Sequence, residues 1–330
     1  MATIRDVAAK AGVSVTTVSR VLNNRGYISL EMREKIQDAM DKLNYHPSEV
    51  ARSLSRNRTN IIGVLLPTLN SFYYPAIVSE LSRILTEKGY KMMLYVASSI
   101  DDRAPEYISM LRANRVDGII VALRNKAVSK EPTAGMPMVS LSRFRGNTHP
   151  TVLCDNDMGG RMAAKELIAC GCKKPTMVGF FHSHNIPAYA RLTGFLSEIQ
   201  DAGLEERSVQ IFGNEAHDVF NLLAETAISQ YPDSDGFFCS DDTLAACLIQ
   251  KLYRLGKRIP QDVQVIGFNS TSLASSLSPA LTSIRQPIPE MCQAAVDCLL
   301  KQIAGEPVMA QEIVLPVTLD CRESTLPHKE

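Results

Sequence analysis

Residues 11–24, AGVSVTTVSRVLNN, hold one guanidinium among small hydroxyl and methyl side chains. An arginine on a short helix can bind guanine O6 and N7 through two parallel N–H donors, so Arg20 is a candidate base reader. Val15 and Thr16 offer methyls suited to a thymine methyl, and Thr16 adds a hydroxyl. Ser14, Thr17, Ser19 and Asn23 are short donors suited to phosphate oxygens, as is Thr3 near the start of the chain. Small neighbours let a helix sink into the major groove, leaving the single arginine to do most of the reading. Charge agrees with this. Residues 1–60 carry ten Lys/Arg against six Asp/Glu, a net of +4 within a chain of formal net charge zero. A basic head on a slightly acidic body suits a polyanion partner for the head alone.

The elements that must position Arg20 are legible. Thr3 and Asp6 fit a capping box, and Ile4, Val7, Ala8 and Ala11 recur at helical spacing. Gly12 breaks that helix and Ser14 caps the next, whose inward stripe is Val18, Val21 and Leu22. Val15, Thr16, Ser19 and Arg20 then face outward. Ser29 opens a third helix with Ile36, Ala39, Met40 and Leu43 inward, and Pro47 closes it. Two helices joined by a turn of about three residues give helix-turn-helix geometry. The segment from Ser48 to about Ser55 reads as a two-turn helix with little apolar surface. Such a helix does not hold alone in water, and so behaves as a linker until something orders it.

From Ile61 the texture changes. IIGVLLP, KMMLYVA, DGIIVAL and MVSLS alternate with helices at about 71–88 and 104–115. TMVGFF, VQIF, DGFFCSDD and VQVIGFN alternate with helices at about 188–200, 218–230 and up to 255. Apolar strands alternating with helices predict parallel, doubly wound sheets, and two such series predict two subdomains with a cleft between them. Ligands in such sheets bind at the carboxyl ends of the strands. Leu69 to Tyr74 follow the first strand and supply ring faces for stacking on a sugar or a base. Phe72 and Tyr73 are the expected lining pair, with Tyr74 in the core. Arg191 stands at a helix start, where a cation opposes the helix dipole, so an anionic or hydroxyl-rich partner is expected. Asn185 and Asn214 are further lining candidates in loops.

Several classes are disfavoured. No run of 18 apolar residues crosses a membrane, and the charged N-terminus does not read as a signal peptide, so a cytoplasmic protein is expected. The chain lacks GxSxG, HExxH, P-loop and GxGxxG patterns, so neither a hydrolase nor a dinucleotide enzyme is indicated, and no cofactor is expected. The eight cysteines are scattered and read as reduced, packed thiols. Cys170-Gly171-Cys172 alone is a weak metal signal, and His182 and His184 read as loop residues; no metal is expected.

IRDVAAKAGVSVTTVSRVLNN and LNYHPSEVARSLSRNRTNIIGVLLP resemble the DNA-binding head of the lactose/galactose repressor family of bacterial transcription regulators. VDGIIV, RLTGF, RIPQDVQVIGFN and SPALTSIRQP resemble that family's ligand-binding body. The resemblance runs from residue 2 to about residue 325. It implies an α/β protein with a three-helix head at 1–46, a hinge helix at 47–60 and a periplasmic-binding-protein-like body at 61–330. The body would divide into two Rossmann-like subdomains, about 61–160 plus 290–322 and about 161–289. Val15, Thr16 and Arg20 fall on the family's base-reading positions. Ala51, Arg52 and Leu54 match the hinge helix, with Leu54 as the wedge in the minor groove. Arg191 matches the arginine that clamps the effector, and Asp241 or Asp242, with Asp241 the favoured contact, stands where the family contacts ligand, one of the two also capping the following helix. Asn269 replaces the aspartate of many members, which questions a standard carboxylate pairing with two sugar hydroxyls. Asp155-Asn156 matches a motif nearer the hinge, structural or switching in role. The implied function is a homodimeric repressor on operator DNA, controlled by a sugar or sugar phosphate. A nucleoside or purine effector, a phosphoprotein corepressor, a solute-binding module and a sugar-modifying enzyme are the rival readings. With no leucine heptad after the body, a dimer rather than a coiled-coil tetramer is expected.

Overall fold

The computed structural model describes residues 2–23, 26–45, 58–97, 104–122, 136–141, 149–181, 187–212, 219–308 and 312–328. The chain forms two compact units, Met1–Asn60 and Ile61–Glu330. The hinge candidates Ala51, Arg52 and Leu54 lie outside the described residues, as do Asn185 and Asn214.

The first unit holds helices α1 (Ile4–Ala11), α2 (Val15–Leu22) and α3 (Leu30–Lys42). The expected caps form. Thr3 and Asp6 make a capping box, and Ser14 and Ser29 accept the first-turn amides of α2 and α3. Gly12 ends α1 at φ 61°, the left-handed region that glycine enters without a Cβ penalty. Val7, Ala8, Ala11, Val18, Ile36, Ala39 and Met40 make a small core, with Val21, Leu22 and Leu43 packed against it.

The second unit contains two sheets. The first has the order β11-β5-β4-β3-β1-β2, with β1 (Ile61–Leu66), β2 (Lys91–Val96), β3 (Gly118–Val121), β4 (Met138–Ser140), β5 (Thr151–Cys154) and β11 (Glu312–Leu315) all parallel. Helices α4 (Tyr73–Glu87) and α5 (Ala104–Ala113) join its strands. The second sheet has the order β12-β10-β9-β8-β6-β7, with β6 (Pro175–Phe181), β7 (Ser208–Phe212), β8 (Gly236–Cys239), β9 (Gln264–Asn269), β10 (Thr282–Arg285) and β12 (Thr318–Asp320). Among the described residues, only its β10–β12 pair is antiparallel. Its helices are α6 (Asn156–Ala169), α7 (Ala190–Asp201), α8 (Val219–Gln230), α9 (Asp242–Arg254) and the short α10 (Ser272–Ser276), while α11 (Ile288–Ala304) packs back on the first lobe. Apolar strand runs such as GFFC and GIIV are buried on both faces, as parallel sheets require.

The chain crosses between lobes three times, at Asp155, at 286–287 and at 316–317. This corrects the expected subdomain limits. Helix α6 belongs to the second lobe, so that lobe starts near 156 rather than 161. Strand β12 pairs with β10, and Ser324 bonds to Val265, so the tail from 318 also belongs there rather than to the first lobe. The reason is physical: the edge of β10 needs a partner, and only the returning chain supplies one.

Helices α6 and α7 approach through glycine. A Cβ on Gly160 would lie 2.1 Å from the Arg191 carbonyl oxygen, and one on Gly194 2.2 Å from the Asp157 carbonyl oxygen. The glycine of RLTGF is therefore a packing requirement that sets the position of Arg191, three residues earlier.

Candidate functional site

In the head, α2 presents the expected outward set. Thr16 and Arg20 are exposed, Val15 is 41% exposed, and Ser19 and Thr17 are half-buried, while Val18 is fully buried. The Arg20 guanidinium lies against Gly26, where a Cβ would come within 2.6 Å of a terminal nitrogen. Gly26 thus leaves room for that fork. The small hydroxyls do double duty. Thr3 bonds Asp6, Ser14 Oγ lies 2.8 Å from Thr17 Oγ1, and Asn23 Nδ2 donates to the Ser19 carbonyl at 2.9 Å. Each candidate phosphate donor therefore also takes part in a hydrogen bond at a helix end, Ser19 Oγ accepting from Asn23 Nδ2 at 3.4 Å.

In the body, a cleft of about 480 Å³, counted out to its solvent-open mouth, lies at the carboxyl ends of both sheets. Arg191, Tyr73, Tyr74, Asn156 and Gln286 line it, with Cys154 and Met291 among the apolar groups. Arg191 is held on three sides. Its Nε donates to Asn156 Oδ1 at 2.8 Å, a terminal N–H donates to the Ser240 carbonyl at 2.7 Å, and its carbon centre stands 3.5 Å above the Phe268 ring. The planar fork and the ring stacking are both arginine properties that lysine lacks. Phe268 is itself propped by Phe238 at 6.4 Å and, through it, by Phe195.

A polar relay runs behind the cleft. Tyr73 Oη donates to Gln286 Oε1 at 3.3 Å, Gln286 Nε2 donates to Asn269 Oδ1 at 2.6 Å, and Asn269 Nδ2 donates to Asp241 Oδ2 at 2.7 Å. Burial raises the Tyr73 phenol above its usual range, so it remains a donor. The relay starts on α4 of the first lobe, passes a crossover and ends at the cap of α9.

These positions revise the lining expected from sequence. Phe72 is 47% exposed and does not line the cleft; Tyr74 does, meeting Tyr73 edge-to-face at 5.2 Å. Tyr73 and Tyr74 stand one turn before the buried Ile77, and Phe72 falls one step off that face. Asp241 caps α9 through the Thr243 amide and takes Asn269, so it stands behind the lining. Asn269 is buried, with φ 108°, and both ends of its amide are engaged. A carboxylate at 269 would face Asp241 at bonding distance, and asparagine removes that repulsion. Asn156, expected to be structural or switching rather than in the lining, lines the cleft while orienting Arg191. Gln286 and Tyr74 were missed. The signal for Gln286 was a polar residue just before the proline of TSIRQP, following a stretch that reads as a strand only once its partner is known.

Asp242 is 1% exposed. Ser283 Oγ donates to it at 2.6 Å, and the Thr271 amide at 2.9 Å. Burial, then the neighbouring Asp241 charge, pushes its carboxyl from 3.8 up to about 7 despite those donors. Between these two values the native chain holds a proton that the unfolded chain has lost. Stability therefore falls as pH rises through that window and levels off above it. Asp242→Asn is expected to flatten the slope by a few kcal/mol across the window, since each pKa unit is about 1.4 kcal/mol. Urea unfolding from about pH 4 to pH 8 measures it, and an unchanged slope assigns the pH dependence elsewhere.

A helix-turn-helix head followed by a two-lobed receptor, with one cleft touching both lobes, defines a ligand-responsive DNA-binding regulator. Comparisons agree. Residues 3–48 match the model of bacterial regulatory proteins, lacI family, and residues 164–325 match the periplasmic binding protein-like domain. The ribose operon repressor of Halalkalibacterium halodurans is 33% identical over 98% of this chain and 97% of its own length. The sucrose operon repressor of Streptococcus mutans serotype c is 35% identical over 98% of this chain and 99% of its own length. The solved complex of the transcriptional regulator CelR with cellobiose has a TM-score of 0.72 at 27% identity, covering 98% of this chain and all of that one. The chain belongs to the lacI family of bacterial regulatory proteins. Among the described residues, no helix is long and apolar enough to cross a membrane.

Proposed function

We propose that this protein is a homodimeric repressor of a sugar-utilisation operon, acting in the cytoplasm and relieved or reinforced by a sugar or sugar phosphate bound in the cleft. The observation that carries this reading is the lining. Arg191, Asn156 and Gln286 offer fixed polar groups beside two tyrosine rings, the pairing that suits a hydroxyl-rich ligand with apolar faces. The names of the relatives, ribose and sucrose operon repressors, and the cellobiose in a related structure support the same class. Two heads would seat on two half-sites of a near-palindromic operator. The ligand acts by favouring one arrangement of the lobes, a coupling of about 1–3 kcal/mol. Hinge contacts by Ala51, Arg52 and Leu54 belong to this proposal, as do the lining roles of Asn185 and Asn214. No catalysis is part of it, and a bound sugar is expected to be recovered unchanged.

Selection from a randomised duplex pool, repeated with sugars, sugar phosphates and nucleosides, tests the reading. It is supported when one near-palindromic duplex is enriched and one sugar alters its affinity. Absence of any preferred duplex would sink it. Arg20→Ala is expected to lose about 1–3 kcal/mol at one base pair of each half-site and little at the others. Binding measured across single-base operator variants checks this. Equal loss on every duplex would assign Arg20 to the phosphates.

A further inference from the structure

Helix α6 begins in the cleft at Asn156 and ends, about 21 Å away, at its C-cap Cys170. At that far end the returning chain folds over it. Glu166 is 7% exposed. Its Oε1 lies 3.5 Å from Cys170 Sγ and 3.6 Å from Cys321 Sγ, and its Oε2 lies 2.9 Å from His328 Nε2. Donor atoms of Glu166, Cys170 and His328 all fall within 4.8 Å of one another. Two thiols, an imidazole and a carboxylate thus meet where two distant stretches of chain pack together.

We propose that Glu166, Cys170, Cys321 and His328 form a binding site for a thiophilic divalent cation of the zinc class. The donor set is the first argument. Thiolate and imidazole select zinc-like ions over magnesium or calcium, and two sulfurs, one nitrogen and one oxygen complete a tetrahedron. Spacing is the second. With zinc–sulfur bonds near 2.3 Å and zinc–oxygen bonds near 2.0 Å, the sulfur and oxygen of one tetrahedron stand about 3.5 Å apart. Both sulfurs already hold that distance from Glu166, while Cys321, outside the 4.8 Å cluster of the other three donors, must turn inward to close the tetrahedron. Access is the third: the His328 side chain is 63% exposed and Cys321 is exposed, so an ion can enter from solvent. Cys172 takes no part. Gly171 turns the chain at φ 90°, and the Cys172 sulfur accepts Gln264 Nε2 at 3.2 Å. The CxC pair therefore contributes one ligand, α6 adds Glu166, and Cys321 and His328 come from the segment after β12.

The binding step balances simply. Burial, then the Glu166 charge, pushes the Cys170 thiol up to about 12, and burial raises Cys321 as well. Without an ion the Cys170 S–H donates to the Leu326 carbonyl at 2.8 Å, with Glu166 Oε1 farther off at 3.5 Å, and the Cys321 S–H donates to Glu166 Oε1. The cation displaces one proton from each sulfur, two protons leave to solvent, and no electron moves. The bound ion would tie the chain after β12 to the end of α6 opposite the cleft.

Cobalt and zinc titrations of the full chain, untagged and reduced, test the site. One equivalent per chain is expected, with a thiolate-to-cobalt charge-transfer band, release of two protons, and a thermal midpoint raised by several degrees in excess zinc. Cys170→Ser and His328→Asn should each weaken zinc at least tenfold and abolish the midpoint rise, while Cys247→Ser should leave both unchanged. His328 is mostly exposed, so His328→Asn keeps the apo fold and isolates the ligand effect. Absence of a thiolate band, or zinc affinity equal in all variants, would overturn the proposal and leave the cluster as thiols bracing a buried carboxylate.

Discussion

Arg191→Ala is expected to abolish the response to the effector while the sugar-free protein keeps its operator affinity. Removing the guanidinium deletes the donors to Asn156 Oδ1 and to the Ser240 carbonyl and exposes the Phe268 face. Leaving two largely buried acceptors unpaired costs about 1–3 kcal/mol each, so the folded body also weakens. That loss stays in the body, because α1 to α3 carry their own core and caps. Arg191→Lys restores charge but neither the fork nor the stacking, and should recover little. Operator binding against sugar concentration, alongside urea unfolding, measures both effects. A sugar midpoint unchanged from the parent protein would remove Arg191 from the ligand's path.

Gly194→Ala is expected to lose about 3 kcal/mol or more of stability, at or above the upper end for overpacked cores. The added Cβ would sit 2.2 Å from a main-chain oxygen, which cannot rotate away as a side chain can. The two helices must part, and Arg191 moves with them. Gly160→Ala meets the same obstacle at 2.1 Å. Gly203 is the control. It has φ 66° with nothing within 4 Å of a Cβ, so alanine there meets only the backbone penalty of about 1–2 kcal/mol. Urea midpoints rank the three. Equal losses at 194 and 203 would show that the α6–α7 contact relaxes freely.

What the sequence disclosed follows from how local each signal is. The head was legible almost to the residue, because caps and stripes act within four positions. The Thr3 and Asp6 pair, the Ser14 cap and the inward Val18 all depend on neighbours in sequence. Long apolar strands such as GFFC were equally plain. Strands β5, β10, β11 and β12 were not read as strands, since segments of three or four residues declare themselves only through their partners, as Glu312 does with Thr151 and Asp320 with Ser283. The cleft was half legible. Arg191 carried a signal, a cation at a helix start. Gln286 and Asn156 carried only indirect ones, a place in TSIRQP and a match to a hinge motif, for their polarity is answered across the fold. Asn269 was recognised as a departure, and its reason, a donor owed to Asp241, appeared only in three dimensions.

Of the three strands of chain that connect the lobes, two pass through the lining, at Asn156 and Gln286. A small molecule lodged there grips the axle of the body. At an axle, displacements are slight while angles are fixed firmly, so a shift of a fraction of an ångström at the sugar becomes a much larger swing at the outer rims of the sheets. Substitutions near 155 and 286 should therefore reset the resting angle, whereas those on the rims should alter only what that angle is able to move.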